Sequence, residues 1–332
     1  MLYLSHQLLH YRMSHHDESL LLTVGHLCYN TGHYVIDAIQ SVQASAPDGT
    51  EQIVIDDGSS DESVELLERF IESSNQNIRL IKNKKNLGIN ASKNRVISEA
   101  KGKYYYGLGD DLVLPDKFQK DIALLEHSDE SVFAICSLSQ IFYEDPSDLS
   151  HEYHGSHPLF NTETVIPAED LLQSLSLKNW IAAPTVVFKT QWLKTLEYPS
   201  DFFIEDYPYW VFSAIQGKTM LHRPEISVLY RRGKHSISRQ HYQSQTALKI
   251  AKDSIRCRLI ALDALGDDAQ KATIIRDGIS ILQFGEAALK EWYRQFIAVK
   301  NYRGFIYYGS AISQNRYFLR ALWFLSRRTR SV

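Results

Sequence analysis

The chain has 332 residues, 44% of them hydrophobic and 23% charged, with a formal net charge of −3. That composition suits one large or two ordinary soluble globular domains, and a charge so near zero names no class of partner. Three scattered cysteines (Cys28, Cys136, Cys257) exclude a disulfide framework and a zinc site, and fit a reducing cytoplasm.

Residues 1–19 mix histidines with short apolar pieces and read as a polar leader, without the apolar core of a signal peptide. No run reaches the ~18 apolar residues of a membrane-spanning helix. Leu20 to Cys28 is mostly apolar and reads as a buried parallel strand that stops at the turn Tyr29-Asn30-Thr31-Gly32. Val35, Ile36, Ile39 and Val42 recur at helical spacing. Residues 52–55 predict a second strand, ending at Asp56-Asp57-Gly58-Ser59-Ser60-Asp61, where Ser59 and Glu62 make a capping-box signature for the next helix. Residues 78–81 predict a third strand. A helix follows Asn86-Leu87-Gly88, over about 91–100, with Lys93, Asn94 and Arg95 near its start. The fourth strand, 103–108, runs abruptly into Gly109-Asp110-Asp111, with Pro115 stopping its continuation. Residues 118–125 predict a helix and 132–137 a strand.

This alternation of strand, polar turn and helix predicts an α/β fold, a mostly parallel sheet with helices on both faces. Right-handed crossovers bring the loops at 29–32, 56–61 and 109–116 to one edge, where such sheets bind ligands. Adjacent carboxylates at that edge repel each other unless a cation joins them, and hard divalent cations bring diphosphates with them. Residues 144–167 read as a long polar excursion, 170–177 as a helix and 183–188 as a strand entered through Pro184. Glu205-Asp206 opens a helix among Phe202, Phe203, Tyr207, Tyr209 and Trp210, a partly desolvated setting that suits a general base. A short strand at 226–230 precedes Arg231, Arg232, His235 and Ser236, and from Gln243 onward the pattern is helical. Residues 292–332 hold eight cationic and no acidic residues, interleaved with aromatics. That pattern suits an interfacial membrane helix, and nothing elsewhere supports nucleic-acid binding.

In order along the chain, Tyr29-Asn30, Val54–Asp61, Asn86-Leu87-Gly88 with Ser92-Lys93-Asn94, Gly109–Lys117, Asn179-Trp180, Glu205-Asp206-Tyr207 with Trp210, and Tyr230-Arg231 with His235–Ser238 resemble the motifs of the GT-A, family 2 inverting glycosyltransferases that build bacterial surface polysaccharides. The resemblance covers roughly 20–240. It implies a GT-A domain over 20–240, with a nucleotide-sugar half (20–140) and an acceptor half (141–240), then a helical, membrane-associating region over 241–332. It implies transfer of a sugar from a nucleotide-sugar, a UDP-sugar, to a hydroxyl of a glycan or lipid-linked acceptor. Tyr29, Asn30 and Asp57 would hold the nucleotide, and Lys93, Arg231 and His235 would face the donor phosphates. Asp110 and Asp111 would bind Mn2+ or Mg2+. Asp206 would be the base, with Glu205 beside it. Location would be cytoplasmic, at the inner membrane face. Leu108 stands where the family often has a further acid, and Leu27-Cys28 where it usually has proline. Leu108 therefore also admits a nucleotide-sugar-binding scaffold of the same fold.

Overall fold

A computed structural model describes residues 20–143, 153–154, 161–232 and 244–270. In chain order its elements are β1 (Leu22–Cys28), α1 (Gly32–Gln43), β2 (Thr50–Asp56), α2 (Ser63–Glu72), β3 (Ile78–Lys82), α3 (Ile89–Glu99), β4 (Tyr104–Leu108), β5 (Leu112–Val113), α4 (Lys117–Glu126) and β6 (Val132–Tyr143). Then follow β7 (Tyr153–His154), β8 (Thr164–Ile166), α5 (Ala168–Leu177), a 3-10 turn (Ala183–Thr185), β9 (Val187–Lys189), α6 (Thr190–Leu193), α7 (Asp206–Ile215), β10 (Thr219–Arg232) and α8 (Ser244–Leu265).

The first four long strands pair in parallel in the order β3-β2-β1-β4. Their C-terminal ends therefore share one edge, as the turn chemistry predicts. The sheet continues through β9, β6 and β10 to β5, with β7 and β8 attached at the side. Here β6 and β10 are parallel, while β9 and β5 join antiparallel to their neighbours.

Side-chain alternation puts a core on each face. Tyr104, Tyr106 and Leu108 pack with Ala38 and Val42 of α1 and Phe118, Ile122 and Leu125 of α4. Tyr105, between them, points the other way and joins Val96 of α3, Leu171 of α5, Trp210 of α7 and Cys257 of α8. Leu108, which precedes the acidic turn, is thus a core residue of the α1–α4 face, only 2% exposed. Gly25 of β1 allows α3 to close over the sheet, since a Cβ there would lie 2.5 Å from Tyr105 Oη and 2.9 Å from Val96 Cγ2.

Four local expectations need correction. The helix after Asp61 starts at Ser63, with Glu62 at its cap, so the Ser59–Glu62 capping box does not form. Ser59 Oγ is instead taken by the backbone N–H of Asn30 (2.9 Å). Residues 183–185 form a 3-10 turn, and the strand begins at Val187. The 109–116 loop contains β5, pairing with Val228 and Leu229. The strand expected at 226–230 spans 14 residues, because pairing with β6 continues N-terminally to it across a register shift at residues 223–225. Residues 1–19, His235, most of the 144–167 excursion and 271–332 lie outside the described residues.

Candidate active site

The turns after β1 and β2 are clasped together. Asn30, in the left-handed region at φ 57, donates its backbone N–H to Ser59 Oγ and accepts the Ser60 N–H on Oδ1 (2.9 Å). The side chain of Asn30 is therefore a clasp, and the clasp leaves the ring of Tyr29 48% exposed at the sheet edge.

Asp57 is 5% exposed. Its Oδ1 accepts from Asn83 Nδ2 (2.7 Å) and Leu87 N (2.9 Å), and its Oδ2 from Gly88 N (2.9 Å). A carboxylate offers about four acceptor positions, so Oδ2 keeps one for a further donor. Gly58, at φ 75, makes this approach possible, because a Cβ there would sit 2.6 Å from the Lys85 carbonyl carbon. The Asp-Gly-Ser and Asn-Leu-Gly signatures, some thirty residues apart, are thus one packed unit at the start of α3.

From α3, one helical face grips the second half of the chain. Asn90 Nδ2 donates to the carbonyls of Pro199 (3.0 Å) and Phe202 (2.8 Å). Asn94 exchanges two 2.9 Å hydrogen bonds with the backbone of Tyr198. Lys93 Nζ reaches Glu205 Oε1 at 3.0 Å and lies 5.0 Å from the Tyr198 ring centroid. Positions 90, 93 and 94 share a face by the i, i+3, i+4 rule. Asn90 escapes the sequence reading, and Asn94 enters it only within the Ser92-Lys93-Asn94 motif, without this contact. Their signal is two poor helix formers four apart inside a helix.

Glu205 caps α7 and Asp206 is its first residue. Asp206 Oδ2 accepts from Asn179 Nδ2 (3.0 Å) and Oδ1 from the Tyr207 N–H (2.7 Å). Burial first, and the neighbouring Glu205 carboxylate second, push its carboxyl up to about 6, against the pull of Lys93, Asn179 and Tyr207 N–H. Between α3, β4 and α7 lies a small cavity of about 10 Å3, room for roughly one water, lined by Lys93, Tyr105, Gly107, Ala183, Phe188, Tyr198 and Trp210.

In that turn the two aspartates differ. Asp111 is 6% exposed and accepts the Arg231 backbone N–H on Oδ1 (2.8 Å). Burial, then the Asp110 charge, hold its carboxyl well above the usual range. Asp110 is half-buried, nearer the rim. Arg231 lies beneath the turn as an anchor. Its Nε donates to the Asp110 carbonyl (2.7 Å), one terminal nitrogen meets Asp37 Oδ2 (3.0 Å), and the guanidinium sits over Tyr34 and Phe142.

Among the described residues no three His, Cys, Asp or Glu side chains form a closed cluster for a metal ion. Mg2+-like ions at diphosphates need only one or two carboxylates, the rest coming from phosphates and water. Asp110 at the rim fits that donor set, with Asp111 turned inward behind it.

A mostly parallel α/β sheet with acidic turns along the C-terminal edge of its strands is a Rossmann-like architecture. Residues 23–182 match the family model described as Glycosyl transferase family 2. The chain is 27% identical over 241 residues to a glycosyltransferase of Haemophilus influenzae, covering 71% of this chain and 73% of that one. It is 25% identical over 219 residues to the putative teichuronic acid biosynthesis glycosyltransferase TuaG of Bacillus subtilis, covering 65% and 81%. In fold it is similar to TarS of S. aureus in complex with UDP-GlcNAc (TM-score 0.57, 15% identity, 78% and 72% covered). It is also similar to the mannosyltransferase PcManGT of Pyrobaculum calidifontis in complex with GDP-Man and Mn2+ (TM-score 0.54, 16% identity, 84% and 86% covered). Residues 23–182 are thus a family 2 glycosyltransferase domain, and the chain has the GT-A fold.

Proposed function

We propose that this glycosyltransferase moves one sugar from a UDP-sugar to an acceptor hydroxyl with inversion, in the assembly of a surface polysaccharide such as O-antigen or capsule. The observation that carries the reading is Asp206, an uncommonly proton-avid carboxylate fixed at the mouth of a helix by two hydrogen bonds. A base with such an affinity takes a proton near neutral pH, and general-base help contributes ~10²–10⁴-fold. Asp206 accepts the acceptor's hydroxyl proton as the oxygen bonds to the anomeric carbon. The bond to the diphosphate breaks on the opposite side, and its electron pair leaves with the nucleotide. Tyr29 stacks the base, and the remaining Oδ2 position of Asp57 takes a base N–H.

Asp110, backed by Asp111, would hold a divalent ion, which when bound supplies Lewis-acid stabilisation of the departing diphosphate. The Mn2+ bound by PcManGT, a protein of the same fold, supports this assignment. His235 would close over the donor phosphates from outside the described residues. The acceptor is a glycan or a lipid-linked glycan, in keeping with the name of TuaG. Residues 292–332 would bring the enzyme to an anionic membrane surface. No described helix is long and apolar enough to cross a membrane.

A thermal-shift screen of UDP- and GDP-sugars with and without Mn2+ identifies the donor. Asp206→Asn should then keep the donor's shift and lose turnover by ~10²-fold or more. Undiminished turnover in that variant refutes the base assignment. Donor binding without turnover in the wild type would instead support the scaffold reading that Leu108 admits.

A further inference from the structure

The expected partner of Lys93 is a donor phosphate, yet its ammonium lies 3.0 Å from Glu205. The two residues are 112 positions apart, and their side chains are only 16% and 19% exposed. Tyr198, 5.0 Å beneath the ammonium, is itself stacked on Tyr209 at 4.5 Å. The hydrogen bonds of Asn90 and Asn94 fix the 198–202 backbone on either side of the pair. Lys93 is therefore held against Glu205 by the framework of the site, and Glu205 adjoins Asp206 in sequence.

We infer that Lys93 is a positioning residue that acts on Asp206 through Glu205, the ion pair setting the pH at which Asp206 is free to accept a proton. The inference rests on Asp206 being the base. Its physical content is a balance of two opposite charges next to a third group. The Glu205 carboxylate opposes ionisation of Asp206, and the Lys93 ammonium favours it. The ion pair joins those charges, so each offsets the other at Asp206. Among the described residues, the other groups that face this region are Tyr105 on β4, whose hydroxyl burial holds well above the usual range, Tyr198 on the 198–205 segment, Asn179 before the 3-10 turn, and Asp253 and Cys257 on α8. Asp253 is engaged with the Phe203 and Ile204 N–H groups, and Cys257 is buried and pushed well above the thiol range. Neither Tyr198 nor Cys257 changes charge near neutrality. The Lys93–Glu205 pair is the charge arrangement beside Asp206 that single substitutions can unbalance in either direction.

Two variants then shift Asp206 in opposite directions. Lys93→Met leaves two adjacent carboxylates without their cation and raises the Asp206 titration midpoint by ~1 pH unit. Glu205→Gln removes the neighbouring negative charge and lowers it by a similar amount. The double variant returns it to within a few tenths of the wild type. Protein labelled with carboxyl-13C aspartate reads this directly without donor or metal, and the Asp206 resonance is identified by its loss in Asp206→Asn. Melting temperatures confirm that each variant is folded. A diphosphate-binding role for Lys93 alone predicts no movement of the midpoint in Lys93→Met, and shifts of the same sign in the two single variants would indicate only general loosening. Either result overturns the inference. The titration is independent of turnover, so the pair can fail while Asp206→Asn still abolishes transfer, and the base assignment can fail while the pair holds.

Discussion

Replacing Asp206 by Asn should do two opposite things: end catalysis and stabilise the fold at neutral pH. Its carboxyl lies at about 6 against an ordinary 3.8. A shift of about two units is worth about 3 kcal/mol against the charged form. A raised carboxyl affinity means that the folded state binds the proton more tightly than the unfolded chain. The penalty is therefore absent below pH 4, grows between pH 4 and 6, and is complete above 6. Asn carries no charge and escapes it. Asn also has one carbonyl oxygen for two donors, Asn179 Nδ2 and the Tyr207 N–H. One hydrogen bond is lost, at about 1 kcal/mol. The net gain is about 2 kcal/mol at pH 8, or about 4 °C in melting temperature for a chain of this size. The assay is thermal unfolding of both proteins from pH 4.5 to 8.5. The difference should vanish at the acid end, open with a midpoint near 5 and level off above about 6. A pH-independent difference, or a less stable variant at pH 8, refutes the account of a desolvated carboxylate kept for chemistry.

Other perturbations follow from the same contacts. Asp57→Ala releases Asn83 and the Leu87 and Gly88 N–H groups, so it should cost about 2–4 kcal/mol and abolish the donor's thermal shift. Asp110→Ala should leave melting nearly unchanged without ligand but remove the Mn2+-dependent part of the nucleotide shift, as chelation should in the wild type. Buried Asp121 holds both Lys117 Nζ (2.8 Å) and Arg223 Nε (2.9 Å), so Asp121→Ala leaves Lys117 without a carboxylate and Arg223 with Glu225 alone, and should cost about 3–5 kcal/mol. Lys117→Met leaves Asp121 its arginine and should cost less, as urea unfolding would show.

What the sequence makes legible here is local. The strands end where their apolar runs stop, and the acids at those ends face one edge because β1, β2 and β4 are parallel. The turns were readable as turns, but their partners were not. Asn30 looks like a nucleotide contact until its side chain is seen holding the Ser60 N–H. Arg231 looks like a phosphate clamp until its guanidinium is seen under the Asp110 carbonyl. Lys117 enters the sequence reading only as the end of the Gly109–Lys117 motif, yet it is fully buried, its affinity for a proton lowered by desolvation against the pull of Asp121. In each case the deciding contact is 20 to 120 residues away, or depends on burial that a polar residue type argues against. The same limit explains Lys93. Its position in a helix start after glycine suggests a phosphate, and only the packing of α3 against 198–205 reveals a carboxylate in reach. A cation that the fold has already paired can serve a diphosphate only by giving up Glu205. The donor would then meet a site whose base is tuned by the group it must displace, which makes the titration of Asp206 with and without bound nucleoside diphosphate the most informative comparison the site offers.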